Sequence, residues 1–200
     1  MADVTSTAGM DTFVGQIIDL ERDSTDTPSL EILNTVSDYK SGRHTALAPM
    51  QLGLLAARED PAQYQQTLHR YSLAIGISGQ MRDDYISFFG DPAVTAKPAS
   101  VDVRAGRISY PIRQTLMSAT GRERDFLRTI LGRANSTDAD VQMVQQIART
   151  HRVDENLRTQ MQNYGEQASA EAATWQELGW DEQAIEFFVR LPARGVEQSL

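Results

Sequence analysis

Hydrophobic positions in this chain recur at steps of three and four, and no stretch alternates at a step of two for long enough to build a sheet. The densest pattern lies in residues 71–98. There Leu73, Ile75, Ile77, Met81, Tyr85, Ile86, Phe88 and Phe89 fall around nearly the whole circumference of a helix. A helix that is apolar on every side belongs inside a protein. Gln80, Asp83 and Asp84 interrupt this one near its middle. Adjacent carboxylates in such surroundings persist only beside a cation, a hydrogen-bond network or a wet cavity.

The other elements follow from spacing and breakers. A first helix is predicted over residues 10–22, with Phe13, Ile17, Ile18 and Leu20 apolar, and a loop over 24–28. A second begins at Ser29, carries Leu30, Leu33, Val36 and Tyr39, and reaches Lys40, where Gly42 and Pro49 predict a kink or break. A third run covers 47–58, and Pro61 suits the first turn of the long helix. Gly90, Asp91 and Pro92 stop that helix, and the chain to Gly106 reads as a loop. Helices resume over 109–119 and 123–133, and the run from Asn135 to Asp138 caps another that holds Val141, Val144 and Ile147. A Gln-, Glu- and Ala-rich helix over 154–178 reads as lying on the surface, and a last helix carries Ile185, Phe187, Phe188, Val189 and Leu191. The expectation is one all-α domain over residues 1–200, built from eight or nine helices.

Composition narrows the function classes. The 27 acidic side chains outnumber the 19 basic ones, giving a net charge of -8 and an anionic surface that argues against nucleic acid. With no cysteine there are no disulfides and no thiolate metal sites. The first eleven residues have neither the basic nor the apolar segment of a signal peptide, and the longest apolar run, 46–57, is too short to span a bilayer. A cytoplasmic protein without a transmembrane segment is expected.

The candidate chemistry gathers on the long helix. Gln80, Asp83, Asp84 and Ser87 recur at helical steps, so they point broadly to one side. An oxygen-only donor set of this kind suits Mg2+, which keeps several waters and shares itself with substrate phosphates. His44, His69 and His151 have no ligand spacing and read as surface or hydrogen-bonded residues. Lys40 precedes the acidic helix, while Lys97 and Arg107 follow it, which is the distribution a diphosphate site needs. Each has a plain alternative: Asp83 on a solvated face beside Arg82, Lys40 merely ending a helix, and Gln16 with Asp19 as a buried polar pair.

Four blocks in order carry a resemblance. They are Gly15-Gln16-x-x-Asp19-Leu20; Lys40-Ser41-Gly42 with Thr45, Pro49, Leu52 and Gly53; Gly76-x-x-x-Gln80-x-x-Asp83-Asp84; and Phe89-Gly90-Asp91-Pro92 followed by Lys97-Pro98, Asp102 and Gly106-Arg107. Together they resemble the trans-polyprenyl diphosphate synthase family, most closely its geranylgeranyl and longer-chain members, across roughly residues 9–191. The resemblance implies an all-α isoprenoid-synthase bundle with an apolar cavity and Mg2+ at its mouth. It implies condensation of an allylic diphosphate with isopentenyl diphosphate: the C–O bond to diphosphate breaks, the isopentenyl double bond attacks the allylic cation, and a proton is lost. By the same resemblance Asp83 and Asp84 bind Mg2+ and are catalytic, together with Lys40. Lys40, Lys97, Gln80 and Arg107 contact diphosphate, and Gly79, Gln16 and Asp19 border the cavity.

The departures are specific. The family's first aspartate-rich motif and the arginine pair after it do not occur in these residues, so the bundle is expected to lack its N-terminal helices. Ser87 stands for the second motif's third aspartate, Gly79 for a phenylalanine, Ala96 for a glycine before Lys97, and Gly106-Arg107-Ile108 for a Gly-Lys-Thr. The expected activity is therefore a transferase incomplete as a lone chain, found in a homo- or hetero-oligomer. A non-catalytic subunit of a heteromeric synthase and a class I terpene cyclase are the alternatives.

Overall fold

A computed structural model describes residues 1–22, 27–90 and 101–197, apart from the side chains of Arg22 and residues 194–197. Among them there is no strand, and the order of helices is α1 (Ala2–Arg22), α2 (Leu30–Ser37), a π-helix (Asp38–Leu47), α3 (Ala48–Ala56), a 3-10 turn (Pro61–Tyr64) and α4 (Gln65–Phe89). Then come α5 (Val101–Ala105), α6 (Tyr110–Ser118), α7 (Gly121–Ile130), α8 (Asp138–Thr150), α9 (Val153–Ala173), a second 3-10 turn (Thr174–Leu178) and α10 (Glu182–Glu197). The all-α expectation holds. The described residues gather into two compact units: 1–20, 34–80 and 160–200 in the first, 21–33 and 81–159 in the second.

Sequence signals explain most of the ends. Thr120 with Glu123 and Thr137 with Asp140 form reciprocal capping boxes for α7 and α8. Asp60 accepts from the Ala62 N–H ahead of α4, and Gly179 stops the turn before α10 in the left-handed region at φ 73°. Where a kink or break was expected between Lys40 and Pro49, the chain continues as a widened helix. The Ala48 N–H reaches back five residues to the Arg43 carbonyl, and Pro49 sits in the first turn of α3. A proline ring collides with the carbonyl four residues earlier in a regular α-helix, and the wider turn avoids that collision.

The first unit is organised on Leu68, Tyr71 and Ala74 of α4, which bury against Ala168, Ala172, Trp175 and Ile185. Ring centroids lie 5.1 Å apart for Tyr71 and Trp175, 5.3 Å for Trp175 and Phe188, and 5.7 Å for Tyr71 and Phe188. Pro192 lies inside α10 and lacks the N–H that would bond the Phe188 carbonyl. The Tyr71 hydroxyl donates to that carbonyl instead (3.0 Å), and Ser169 Oγ donates to the neighbouring Val189 carbonyl (2.8 Å). Burial pushes the Tyr71 phenol well above its usual range, so it stays a donor. The second unit buries Met81, Tyr85 and Phe88 of α4 with Val103, Ile112, Leu127 and Val144 in its own core.

Two further expectations about the fold are corrected. Residues 101–105, read as part of a loop running to Gly106, form the short helix α5. The Gln- and Glu-rich helix does not lie on the surface: Val153, Leu157, Met161, Ala168 and Ala172 of α9 are fully buried. They fall four, four, seven and four residues apart, a stripe that abundant Gln and Glu on the other faces obscures.

Glu171 fixes α9 to α4 from the edge of the core. It accepts from Arg70 Nε (2.7 Å) and Nη2 (2.8 Å) and from Thr67 Oγ1, which itself accepts from Trp175 Nε1 (2.7 Å). Burial raises its pKa, but the Arg70 and Thr67 hydrogen bonds outweigh that and hold it below 4.5. A carboxylate with a depressed folded pKa stabilises the fold above its unfolded pKa, and this stabilisation is lost as pH falls through the folded value. Glu171→Gln therefore flattens the loss of stability below about pH 4.5 in urea titrations run across acid pH. Tyr71→Phe leaves the Phe188 carbonyl unsatisfied and lowers the unfolding free energy by about 1–3 kcal/mol, read from the denaturation midpoint.

Candidate functional site

In the first unit α1, the π-helix and α4 bring four of the expected residues together: Gln16, Asp19, Lys40 and Gln80. Lys40 Nζ donates to Gln16 Oε1 and to Asp19 Oδ2, both at 2.8 Å. Asp19 is 7% exposed, and the Lys40 side chain keeps 29% of its surface open. One residue on, Ser41 Oγ donates to Gln80 Oε1 of α4 at 3.2 Å. Arg43 adds a second cation on the π-helix, bonded to Asp38 Oδ2 at 2.8 Å and to Asp11 Oδ2 at 3.3 Å. The plain reading of Gln16 and Asp19 as a buried pair is half met: Gln16 is exposed, and both serve Lys40. The result is one partly open ammonium, oriented by a carboxylate and an amide, beside a hydroxyl–amide contact.

The two aspartates lie in different settings, both in the second unit. The Asp83 side chain is 62% exposed and accepts from Arg82 Nη2 at 3.1 Å. The expectation of two carboxylates buried in apolar surroundings is therefore corrected at this position. Asp83 follows Met81 by two positions and precedes Phe88 by five, which turns it to the far side of the helix from both, and circumference alone did not show which side solvent reaches. Asp84 is half-buried, and its Oδ2 accepts the Tyr110 N–H at 3.1 Å. Ser109, the N-cap residue of α6, makes no side-chain capping bond, so Asp84 provides the anionic acceptor at that helix start.

The remaining candidates separate further. Arg107 is exposed, with its N–H bonded to the Asp102 carbonyl at 3.0 Å. Lys97 and the Asp91-Pro92 pair lie outside the described residues. A Cβ added to Gly79 meets nothing within 4 Å, so that position is open space. His151 bonds Glu123 at 2.7 Å and His69 approaches Asp38 at 3.4 Å, in keeping with their expected roles.

An apolar cavity of about 540 Å³ opens in the first unit, lined among others by Thr45, Ile75, Tyr71, Trp175, Trp180 and Phe188. Gly79, Gln16 and Asp19 are not in its lining. The aromatic wall was missed in the sequence, although Trp175 and Trp180 are the chain's two tryptophans and stand five residues apart. Thr45 and Ala46 in its lining belong to the same π-helix that carries Lys40.

For Mg2+ the test is the donor set. Among the described residues no three His, Asp or Glu side chains cluster as a metal cage. Two adjacent carboxylates, one of them open to solvent, fit an ion that keeps most of its water and takes further oxygens from a diphosphate.

Residues 1–148 match the Polyprenyl synthetase family model. The farnesyl diphosphate synthase of Escherichia coli is 29% identical over 113 residues, 56% of this chain and 37% of that one. The geranylgeranyl diphosphate synthase of Saccharolobus solfataricus is 33% identical over 84 residues, 42% of this chain and 25% of that one. Among solved structures, geranylgeranyl pyrophosphate synthase from Corynebacterium glutamicum, complexed with isoprenyl diphosphate and magnesium, superposes with a TM-score of 0.85 at 25% identity. That match covers 98% of this chain and 54% of the other. Polyprenyl synthase from Caulobacter crescentus, at 20% identity and a TM-score of 0.85, shares the fold over all of this chain and 59% of its own. The chain thus spans about half of these structures and less of the curated relatives. No described helix is long and apolar enough to cross a membrane. With three quarters of its length inside one family model and the same all-α fold throughout, the chain belongs to the polyprenyl synthetase family.

Proposed function

We propose that this chain supplies the diphosphate-binding part of a prenyl diphosphate synthase site, for condensation of an allylic diphosphate with isopentenyl diphosphate. The observation that carries the reading is the Lys40 ammonium, held partly open by Gln16 and Asp19 on residues that match the family. Lys40 binds the diphosphate and offsets the negative charge that grows on its bridging oxygen as the allylic C–O bond breaks. Ser41 and Gln80 orient it, with Lys97 and Arg107 adding positive charge. Asp83 and Asp84 hold Mg2+, which when bound supplies Lewis-acid stabilisation of the leaving diphosphate. The aromatic walls of the apolar cavity keep water from the hydrocarbon.

The rest of the site is proposed to come from residues beyond these 200, on the same or another polypeptide. Met10, Phe13, Val14, Ile17 and Leu20 make an apolar stripe along α1, each more than two fifths exposed, and contiguous patches of that kind mark interaction surfaces. A second reading, a subunit that shapes a synthase without turning over itself, draws support from the solvent-facing Asp83 and the absence of a three-carboxylate cluster among the described residues.

Incubated alone with farnesyl diphosphate, isopentenyl diphosphate and Mg2+, the chain gives little or no product. Addition of a segment carrying the first aspartate-rich motif restores it, as measured by extraction of radiolabelled prenyl product. Full turnover by the lone chain overturns the incomplete-site reading, and none in either case favours the non-catalytic subunit. The aspartates separate stability from binding. Asp84→Ala removes a helix-start acceptor and costs roughly 0.5–2 kcal/mol of stability, whereas Asp83→Ala stays near neutral in chemical denaturation. Both weaken Mg2+-dependent pyrophosphate binding in calorimetry; unchanged binding in both rules them out as metal ligands.

A further inference from the structure

The π-helix lies against α4 at a separation that side chains do not allow. A Cβ on Gly76 would stand 2.5 Å from the Gly42 Cα and 2.6 Å from its nitrogen. A Cβ on Gly42 would stand 2.6 Å from the Ser72 carbonyl oxygen. A Cβ on Gly15 of α1 would meet Lys40 Cγ at 2.7 Å and Tyr39 Cβ at 2.8 Å. Lys40 and Ser41 lie between these two contacts. All the residues concerned belong to the first unit.

We propose that Gly15, Gly42 and Gly76 are positioning residues for Lys40: two close contacts of the π-helix, one to α1 and one to α4, set where its ammonium stands. Gly15 leaves room for the lysine stem to cross α1, so that Nζ reaches Gln16 and Asp19 together. The Gly42–Gly76 contact fixes the depth of the π-helix against α4, so that Ser41 meets Gln80 at 3.2 Å. A methyl group at residue 76 needs an ordinary contact of at least 3.4 Å where 2.5 Å is present, so the backbones separate by about 0.9 Å. That shift is comparable to the margin between a hydrogen bond and none. Backbone meets backbone here, and no flexible side-chain end can give way. The role assigned to Lys40 rests on the diphosphate reading above; its positioning does not.

Lys40 and Lys97 are the only lysines in the chain, which makes the position of Lys40 directly readable. The folded chain is treated briefly with acetic anhydride, and acetylation at each lysine is quantified by peptide mass spectrometry. The ratio of Lys40 to Lys97 modification rises roughly tenfold in Gly76→Ala, as the Asp19 and Gln16 bonds that hold the ammonium are lost. Gly15→Ala gives the same change and serves if Gly76→Ala does not fold. Gly9→Ala, whose Cβ meets nothing within 4 Å, leaves the ratio as in the parent chain. General loosening of the fold raises the ratio to the same extent in Tyr71→Phe, which is destabilised away from Lys40, and that outcome overturns the proposal, as does an unchanged ratio in a folded variant.

A second readout tests the link to the ligand. Binding of inorganic pyrophosphate with Mg2+ weakens about tenfold in Gly76→Ala but shows no further loss when the same change is made in Lys40→Ala. Losses that simply add mean the glycine does not act through the lysine. If the acetylation ratio shifts while the parent chain binds no pyrophosphate, the positioning stands and the diphosphate reading fails.

Discussion

The removal of α4 from water is the constraint on which the rest of the structure depends. Its apolar side chains occupy most of its circumference, and Tyr71, Ile77, Met81 and Phe88 are each no more than 2% exposed. Burying side chains of this size contributes about 1.5–3 kcal/mol each, as an upper estimate. No other element carries as many large apolar residues, and the cores of both units include part of it. Every polar group on the helix must then face solvent, find a partner, or be absent. Asp83 takes the first course and Asp84 and Gln80 the second, while Gly76 carries no side chain where the π-helix comes closest.

The same constraint explains the irregular elements beside it. A neighbour can bury α4 closely only where side chains are missing, and the π-helix meets it at Gly42, Ser72 and Gly76. The widened turn also admits Pro49 at the start of α3 without a collision. Further along, Pro192 frees a carbonyl inside the aromatic cluster, and Tyr71 supplies the donor that the proline lacks. In each case a local departure from α-helical bonding is answered by a specific partner, as buried backbone polar groups require. The polar cluster at Lys40 stands where two such close approaches coincide.

Chemistry and stability share residues in this arrangement. Asp84 is drawn to the start of α6, where a negative charge is favoured whether or not a metal is bound. Lys40 is paired with Asp19, so on the proposed reading an entering diphosphate competes with that carboxylate for the ammonium. Such groups are poised by contacts made for folding. Family membership says which chemistry the scaffold hosts, and the side-chain settings say how much of it these residues can supply.

The sequence by itself determined the helical class, the burial of most apolar positions between residues 71 and 89, most helix starts, and the order of motifs that marks the family. Those are local properties: spacing, capping chemistry and residue identity act over a few positions. Tertiary structure alone decided which side of α4 is wet, and so placed Asp83 in solvent and Asp84 at the start of α6. It also decided that α9 hides a buried stripe beneath its glutamines, that Gln16 and Asp19 close on Lys40, and that Trp175 and Trp180 wall a cavity. The physical reason is that a helix pattern gives angles around one axis, whereas exposure and pairing depend on which other segment arrives there. That depends on contacts between residues such as Lys40 and Asp19, or Tyr71 and Phe188, that lie far apart in the chain.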